Sequence, residues 1–219
     1  MVNPTSGCDF DIKSISKAFS ASRGNNDILL REYCDAYTEI AKFLTFFGKA
    51  FYFVNRDVEE KITILREHTK SDPNSYKSVK SMIKYESSVQ GTAASARADG
   101  CRTLLRLHRA LLFVIDLMYS VCAAPIETTM QTIVKQTYKN DLSEYHPWVI
   151  RQAVKAAVYA LPKREQMVDH IVSCQPASSC LKTREDCKTA MLGETLPDMR
   201  LVYEDVQKML KEHNMLHLP

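Results

Sequence analysis

Apolar residues recur at intervals of three and four along most of this chain, the spacing that puts them on one face of a helix. Phe10, Ile12, Ile15, Ala18 and Phe19 predict a first helix over Phe10–Ser22, ended by the turn residues Arg23-Gly24-Asn25-Asn26. From Asp27, a suitable N-cap, a long helical pattern runs to about His68, with a cheap bend at Gly48 in its aromatic middle. Lys70–Ser75 reads as a turn and Tyr76–Val89 as a third helix, with Val79, Met82, Ile83 and Val89 inward. The small-residue stretch Gln90–Gly100 connects it to a helix over Cys101–Met118. The next follows Pro125 to about Tyr138, and another starts at Pro147 and is kinked or restarted at Pro162. Residues 174–193 read as loop with one short helix, and Leu196–Glu212 as a final one. No strand pattern or internal repeat is visible, so the chain reads as all-α, about eight helices, with residues 1–219 taken as one domain.

The helix over Cys101–Met118 is unusual. Arg102, Arg106 and Arg109 fall on one line at i, i+4 and i+7, while nine leucine, valine, isoleucine and methionine positions occupy most of the rest of the cylinder. A helix apolar nearly all round is normally buried. Its arginines either reach water along a narrow seam, or line an internal site that wants positive charge.

Two further stretches carry chemistry. Val58, Ile62 and Leu65 form a core stripe, beside which Asp57 and Lys61 sit one turn apart. An ordinary surface ion pair fits that spacing, and so does half of a binding site next to the most aromatic part of the chain. His146 precedes Pro147-Trp148 at a helix start, where it reads either as an unusual cap or as a neutral ring donating one N–H to a ligand oxygen. Trp148, the only tryptophan, reads as core or as an interfacial anchor.

Composition narrows the options. Lys and Arg total 29 against 26 Asp and Glu, and a net charge of +3 does not mark a nucleic-acid binder, so a basic site has to be local. Seven cysteines without zinc spacing read as reduced thiols, with Cys174, Cys180 and Cys187 a weak exception. The N-terminus resembles neither a signal peptide nor a myristoylation site, and no apolar run approaches the ~20 residues of a membrane span, so membrane contact is expected to be peripheral.

Asp57 with Lys61, Arg102 with Arg106, and His146 ahead of Pro147-Trp148-Val149-Ile150-Arg151 together resemble the glycolipid transfer protein fold family. The similarity spreads over Lys42–Lys61, Cys101–Leu112, Tyr145–Arg164 and the apolar terminus Met215–Pro219. The resemblance implies a two-layer sandwich of about eight helices that opens to hold the chains of one sphingolipid. It further implies a cytosolic monomer that moves lipid between membranes without catalysis, cofactor or metal. The sugar-binding branch of that family carries Asn four residues after the shared Asp and a stacking Trp; this chain has Lys61 and Arg106 there. The resemblance therefore points to the branch that binds ceramide-1-phosphate, with Asp57, Lys61, Arg102, Arg106 and His146 as headgroup residues. In that branch the aspartate accepts from the ceramide amide and hydroxyl, and the histidine donates to the amide carbonyl. Arg109 is expected to be mainly structural or an outer contributor, and Trp148 with Arg151 to dock on anionic membranes.

The exchange of residues makes physical sense. A phosphomonoester carries about −1.5 to −2 charge and three acceptor oxygens, and Lys61, Arg102 and Arg106 less Asp57 give a formal +2. Three rival readings stand beside this one: carriage of glycosylceramide, a helical interaction module, and a lipid phosphatase or esterase. The last lacks a nucleophile elbow, a metal-spaced cluster and a glycine-rich phosphate loop.

Overall fold

The computed structural model describes residues 10–88 and 99–218. Cys8, Val89, most of the predicted connection Gln90–Gly100, and Pro219 lie outside the described residues. The described helices are α1 (Ile12–Ser22), α2 (Leu30–Leu44), α3 (Tyr52–Ser71), α4 (Val79–Ser88), α5 (Asp99–Ala123), α6 (Met130–Asp141), α7 (Trp148–Val158), α8 (Arg164–Cys174), α9 (Arg184–Ala190) and α10 (Leu196–Glu212). A π-helical stretch, Met191–Thr195, joins α9 to α10 without a break. Strand-like pairing among the described residues is limited to two isolated bridges, Arg23 with Ile28 and Leu29 with Ser78. None of these helices is long and apolar enough to cross a membrane.

The predicted helix from Asp27 to His68 is two helices. Its start moves to Leu30 because Ile28 and Leu29 are held extended: Leu29 N–H donates to Ser22 O at 2.8 Å, and Ile28 O accepts from Val79 N at 2.8 Å. Asp27 caps a different helix, its Oδ1 accepting from Lys80 N at 3.1 Å in the first turn of α4. At Gly48 the backbone takes φ 78°, which a side chain disfavours, so the chain breaks there into two 3₁₀ turns, Thr45–Phe47 and Lys49–Phe51. The break turns Phe46, Phe47 and Phe51 inward, with Phe43 and Phe47 rings 5.5 Å apart and edge-on.

α2 packs on α3 and α5 on α6, and residues at the end of α2 and on α3, α5, α6 and α7 surround a cavity. α5 is the centre, in contact with α3, α4, α6 and α10. Both of its ends are held by residues from elsewhere in the chain. At the N-terminus the buried Glu86 carboxylate accepts from the Gly100 and Cys101 N–H groups, each at 3.0 Å, and from Tyr76 OH. At the C-terminus Arg164 donates to the carbonyls of Val121, Ala124 and Pro125 at 2.8–3.0 Å. Within this frame the apolar faces of the helices merge into one contiguous core.

The remaining differences are local. α6 starts at Met130, capped by Thr129, rather than directly after Pro125. Cys34, Cys101, Cys122, Cys180 and Cys187 are free thiols, whereas Cys174, one of the three cysteines excepted from the reduced-thiol reading, is disulfide-bonded.

Candidate functional site

A cavity of about 540 Å³ lies between the α2–α3 hinge and the α5–α7 side. Its interior is apolar, walled by Phe47, Phe51, Phe113, Leu117, Leu142 and Val154. Its polar lining comes from three places: Arg56, Asp57, Glu60 and Lys61 on α3, Arg106 and Arg109 on α5, and His146 before α7. The local reason is helical spacing. Arg106, Arg109, Phe113 and Leu117 share one face of α5, so a single stripe is charged at one end and apolar at the other. On α3 the buried stripe of Val58, Ile62 and Leu65 carries Asp57 and Lys61 along its edge.

Lys61 reaches back to Asp57, with Nζ to Oδ1 at 2.5 Å, and the Lys61 side chain is 14 % exposed against 62 % for Asp57. The cation is thus lodged in the wall while its counter-ion faces water. Arg56 and Glu60 form a separate exposed pair at 3.0 Å. Arg109 lies over the Tyr145 ring at 4.1 Å and donates from Nη2 to Leu216 O at 2.9 Å. Burial lowers its pKa from the ordinary value; Tyr145 opposes that shift and Arg106 adds to it.

His146 Nδ1 is 2.9 Å from Tyr138 OH, and the Tyr138 ring is buried edge-on against Phe113. Burial is the main cause holding the His146 pKa below its ordinary value; Asp57 pulls it up and Lys61 pushes it down. A neutral ring was expected from a helix N-terminus, yet Pro147 is the N-cap and His146 sits outside the helix, so desolvation does that work. Neutral imidazole with one nitrogen engaged by Tyr138 keeps its other nitrogen for a ligand.

Five of the sequence-predicted residues, Asp57, Lys61, Arg106, Arg109 and His146, meet around this one cavity. Arg102 does not line it; it lies half-buried one helical turn toward the N-terminus of α5. Trp148 opens α7 at 65 % exposure, beside exposed Val149, with Tyr52 and Phe53 exposed at the start of α3. Arg151 is half-buried and close enough to Tyr138 to lower that hydroxyl's pKa against the dominant effect of burial. Tyr138, Tyr145 and Glu86 were missed by sequence reasoning. Nothing in the local pattern marks them, since each acts on a residue of a different element.

The sequence profile described as Glycolipid transfer protein (GLTP) matches residues 28–173, which span α2 to α8 and hold every residue named at the cavity. The chain belongs to the glycolipid transfer protein family. Within that family it is 33 % identical over 220 residues to the rat ceramide-1-phosphate transfer protein, covering 96 % of this chain and 97 % of the relative. Two crystal structures of family members resemble its fold across 96 % of this chain and all of theirs. One is the human ceramide-1-phosphate transfer protein in complex with 12:0 ceramide-1-phosphate, with TM-score 0.83 and 29 % identity. The other is the mouse ceramide-1-phosphate transfer protein in its apo form, with TM-score 0.82 and 32 % identity.

Proposed function

We propose that this protein is a single lipid-transfer domain that carries ceramide-1-phosphate between membranes and catalyses no reaction. The observation that carries the reading is the union, in one cavity, of an apolar interior with a mouth of net +2. Arg56, Lys61, Arg106 and Arg109 stand there against Asp57 and Glu60. That charge matches a phosphomonoester. Lys61 and Arg106 hold the phosphate, the guanidinium by two oxygens and the ammonium as a point charge, with Arg109 behind them and Arg102 reinforcing the field from one turn away. Asp57 accepts from the ceramide amide and hydroxyl, and His146 donates to the amide carbonyl.

The two parts of the cavity have different tasks. At ~0.8 kcal/mol per CH₂, two long chains in water would cost tens of kcal/mol, so the apolar interior makes extraction possible. It does not select, because membrane and cavity are both apolar. Discrimination falls to the mouth, where each charge-assisted hydrogen bond contributes ~1.5–3 kcal/mol. Trp148 and Val149, with Arg151 beside them, dock the mouth on an anionic membrane surface, and the protein works as a cytoplasmic monomer.

Competition in one vesicle-transfer assay tests the proposal. Donor vesicles containing both ceramide-1-phosphate and a glycosylceramide are expected to lose the phosphate lipid. Preferential loss of the sugar lipid would overturn the headgroup assignment, and loss of neither would reduce the protein to a helical interaction module.

A further inference from the structure

Tyr138 and His146 stand eight residues apart in the chain, yet their rings are 5.6 Å from each other, with the Tyr138 hydroxyl 2.9 Å from His146 Nδ1. The chain brings them together by ending α6 at Asp141 and taking one 3₁₀ turn, Ser143–Tyr145, before Pro147 caps α7 with its ring-fixed φ of −63°. Tyr138 is 8 % exposed, and its ring stands at 89° to that of Phe113 on α5. Both rings belong to the wall of the headgroup cavity, so packing holds the hydroxyl where it is.

Hydrogen-bond satisfaction decides which partner donates. Among the described residues, His146 Nδ1 is the single partner of the Tyr138 hydroxyl. If Nδ1–H donated to the phenolic oxygen, the hydroxyl hydrogen would be buried without an acceptor, and such an unmade bond costs more than a made one gains. Burial also raises the Tyr138 pKa above its ordinary value, which keeps the hydrogen on the oxygen, and burial lowers the His146 pKa, which keeps the ring neutral. Tyr138 therefore donates to a bare Nδ1, and the ring proton sits on Nε2.

We propose that Tyr138 is a positioning residue for lipid binding: by occupying Nδ1 it fixes the proton of His146 on Nε2, so the histidine meets the lipid amide only as a donor. The inference rests on the lipid-carrier reading above. An amide offers one donor, its N–H, and one acceptor, its carbonyl. In that reading Asp57, which as a carboxylate only accepts, takes the N–H, and the carbonyl then needs a donor. With the proton on Nδ1 instead, Nε2 would set a lone pair against the carbonyl oxygen, and both sides of the site would be acceptors.

Two measurements test it. Nitrogen NMR of the lipid-free protein at about pH 8, above the ordinary histidine pKa of 6.5, reads the two ring nitrogens of His146. Nδ1 is expected to be bare, and to shift when Tyr138→Phe removes its proton donor. A protonated Nδ1, or an Nδ1 resonance that Tyr138→Phe leaves unmoved, overturns the proposal. In vesicle transfer of ceramide-1-phosphate, Tyr138→Phe is expected to cut the rate about three- to tenfold, the equivalent of one neutral hydrogen bond. In a His146→Ala background it is expected to cost nothing further, because its effect passes through the imidazole. Equal losses in both backgrounds would make Tyr138 a packing residue and overturn the proposal, as would undiminished transfer by Tyr138→Phe. No transfer by the unaltered protein would overturn the carrier reading and the positioning role with it, and the NMR arm, which needs no lipid, tells that failure apart from a wrong tautomer.

Discussion

Lys61→Met separates headgroup recognition from folding. Methionine keeps the apolar stem against the cavity wall and removes only the ammonium. The lost ion pair has a partner, Asp57, that is 62 % exposed, and such pairs contribute at most ~1 kcal/mol, so the unfolding free energy should fall by less than that. The effect on the ligand is larger. The proposed function puts Lys61 among two cations directly on the phosphate, and a charge-assisted bond of ~1.5–3 kcal/mol corresponds to a roughly 10- to 150-fold loss in affinity. Transfer of fluorescent ceramide-1-phosphate between vesicles reads that loss, and denaturant unfolding checks stability. A second readout needs no lipid: Lys61 holds the His146 pKa down, so the variant's His146 ring, followed by NMR, should titrate at higher pH. Unchanged transfer together with an unmoved His146 titration would refute the geometry on which the mechanism is built.

Three other perturbations address different parts of the molecule. A Cβ at Gly100 would lie 2.6 Å from Glu86 Oε1 and 2.7 Å from Met82 Sδ, so Gly100→Ala should destabilise by ~1–3 kcal/mol in urea unfolding; a neutral result would mean that Glu86 does not plug the start of α5. His108 is buried against Tyr203 and bonded to Gln207, and burial pushes its pKa down to about 4, below the 6.5 of the unfolded chain. The unfolded state therefore takes up the proton first, and stability present above pH 6.5 is lost as pH falls toward 4, by ~2 kcal/mol at pH 5. His108→Gln should remove that part of the pH dependence, and an unaltered slope between pH 7 and pH 5 would count against it. Trp148 emission should shift to shorter wavelength when anionic vesicles are added and shift less at high salt; no shift at low salt would remove α7 from the docking surface.

Much of this protein was legible from residue spacing because helices write their packing into periodicity. The all-α class, the central arginine-bearing helix and the placing of Asp57 and Lys61 beside a core stripe are statements about one helix face at a time. Contacts between distant segments leave no such trace. Asp27 looked like the cap of the helix that follows it, yet it holds Lys80, and Glu86 plugs the start of α5 from another helix. Arg109 was read as mainly structural or as an outer contributor to the phosphate field; it lines the cavity and also holds the terminal segment through Leu216. Arg102, on the same helical line as Arg106, lies a turn beyond the cavity, because periodicity gives a residue's direction around an axis but not where the opposing wall ends. Local chemistry sets which faces are apolar and where a helix is able to break; which charges share a cavity, and which hydrogen-bond partner satisfies each buried group, follow only once the layers close and water is excluded between them.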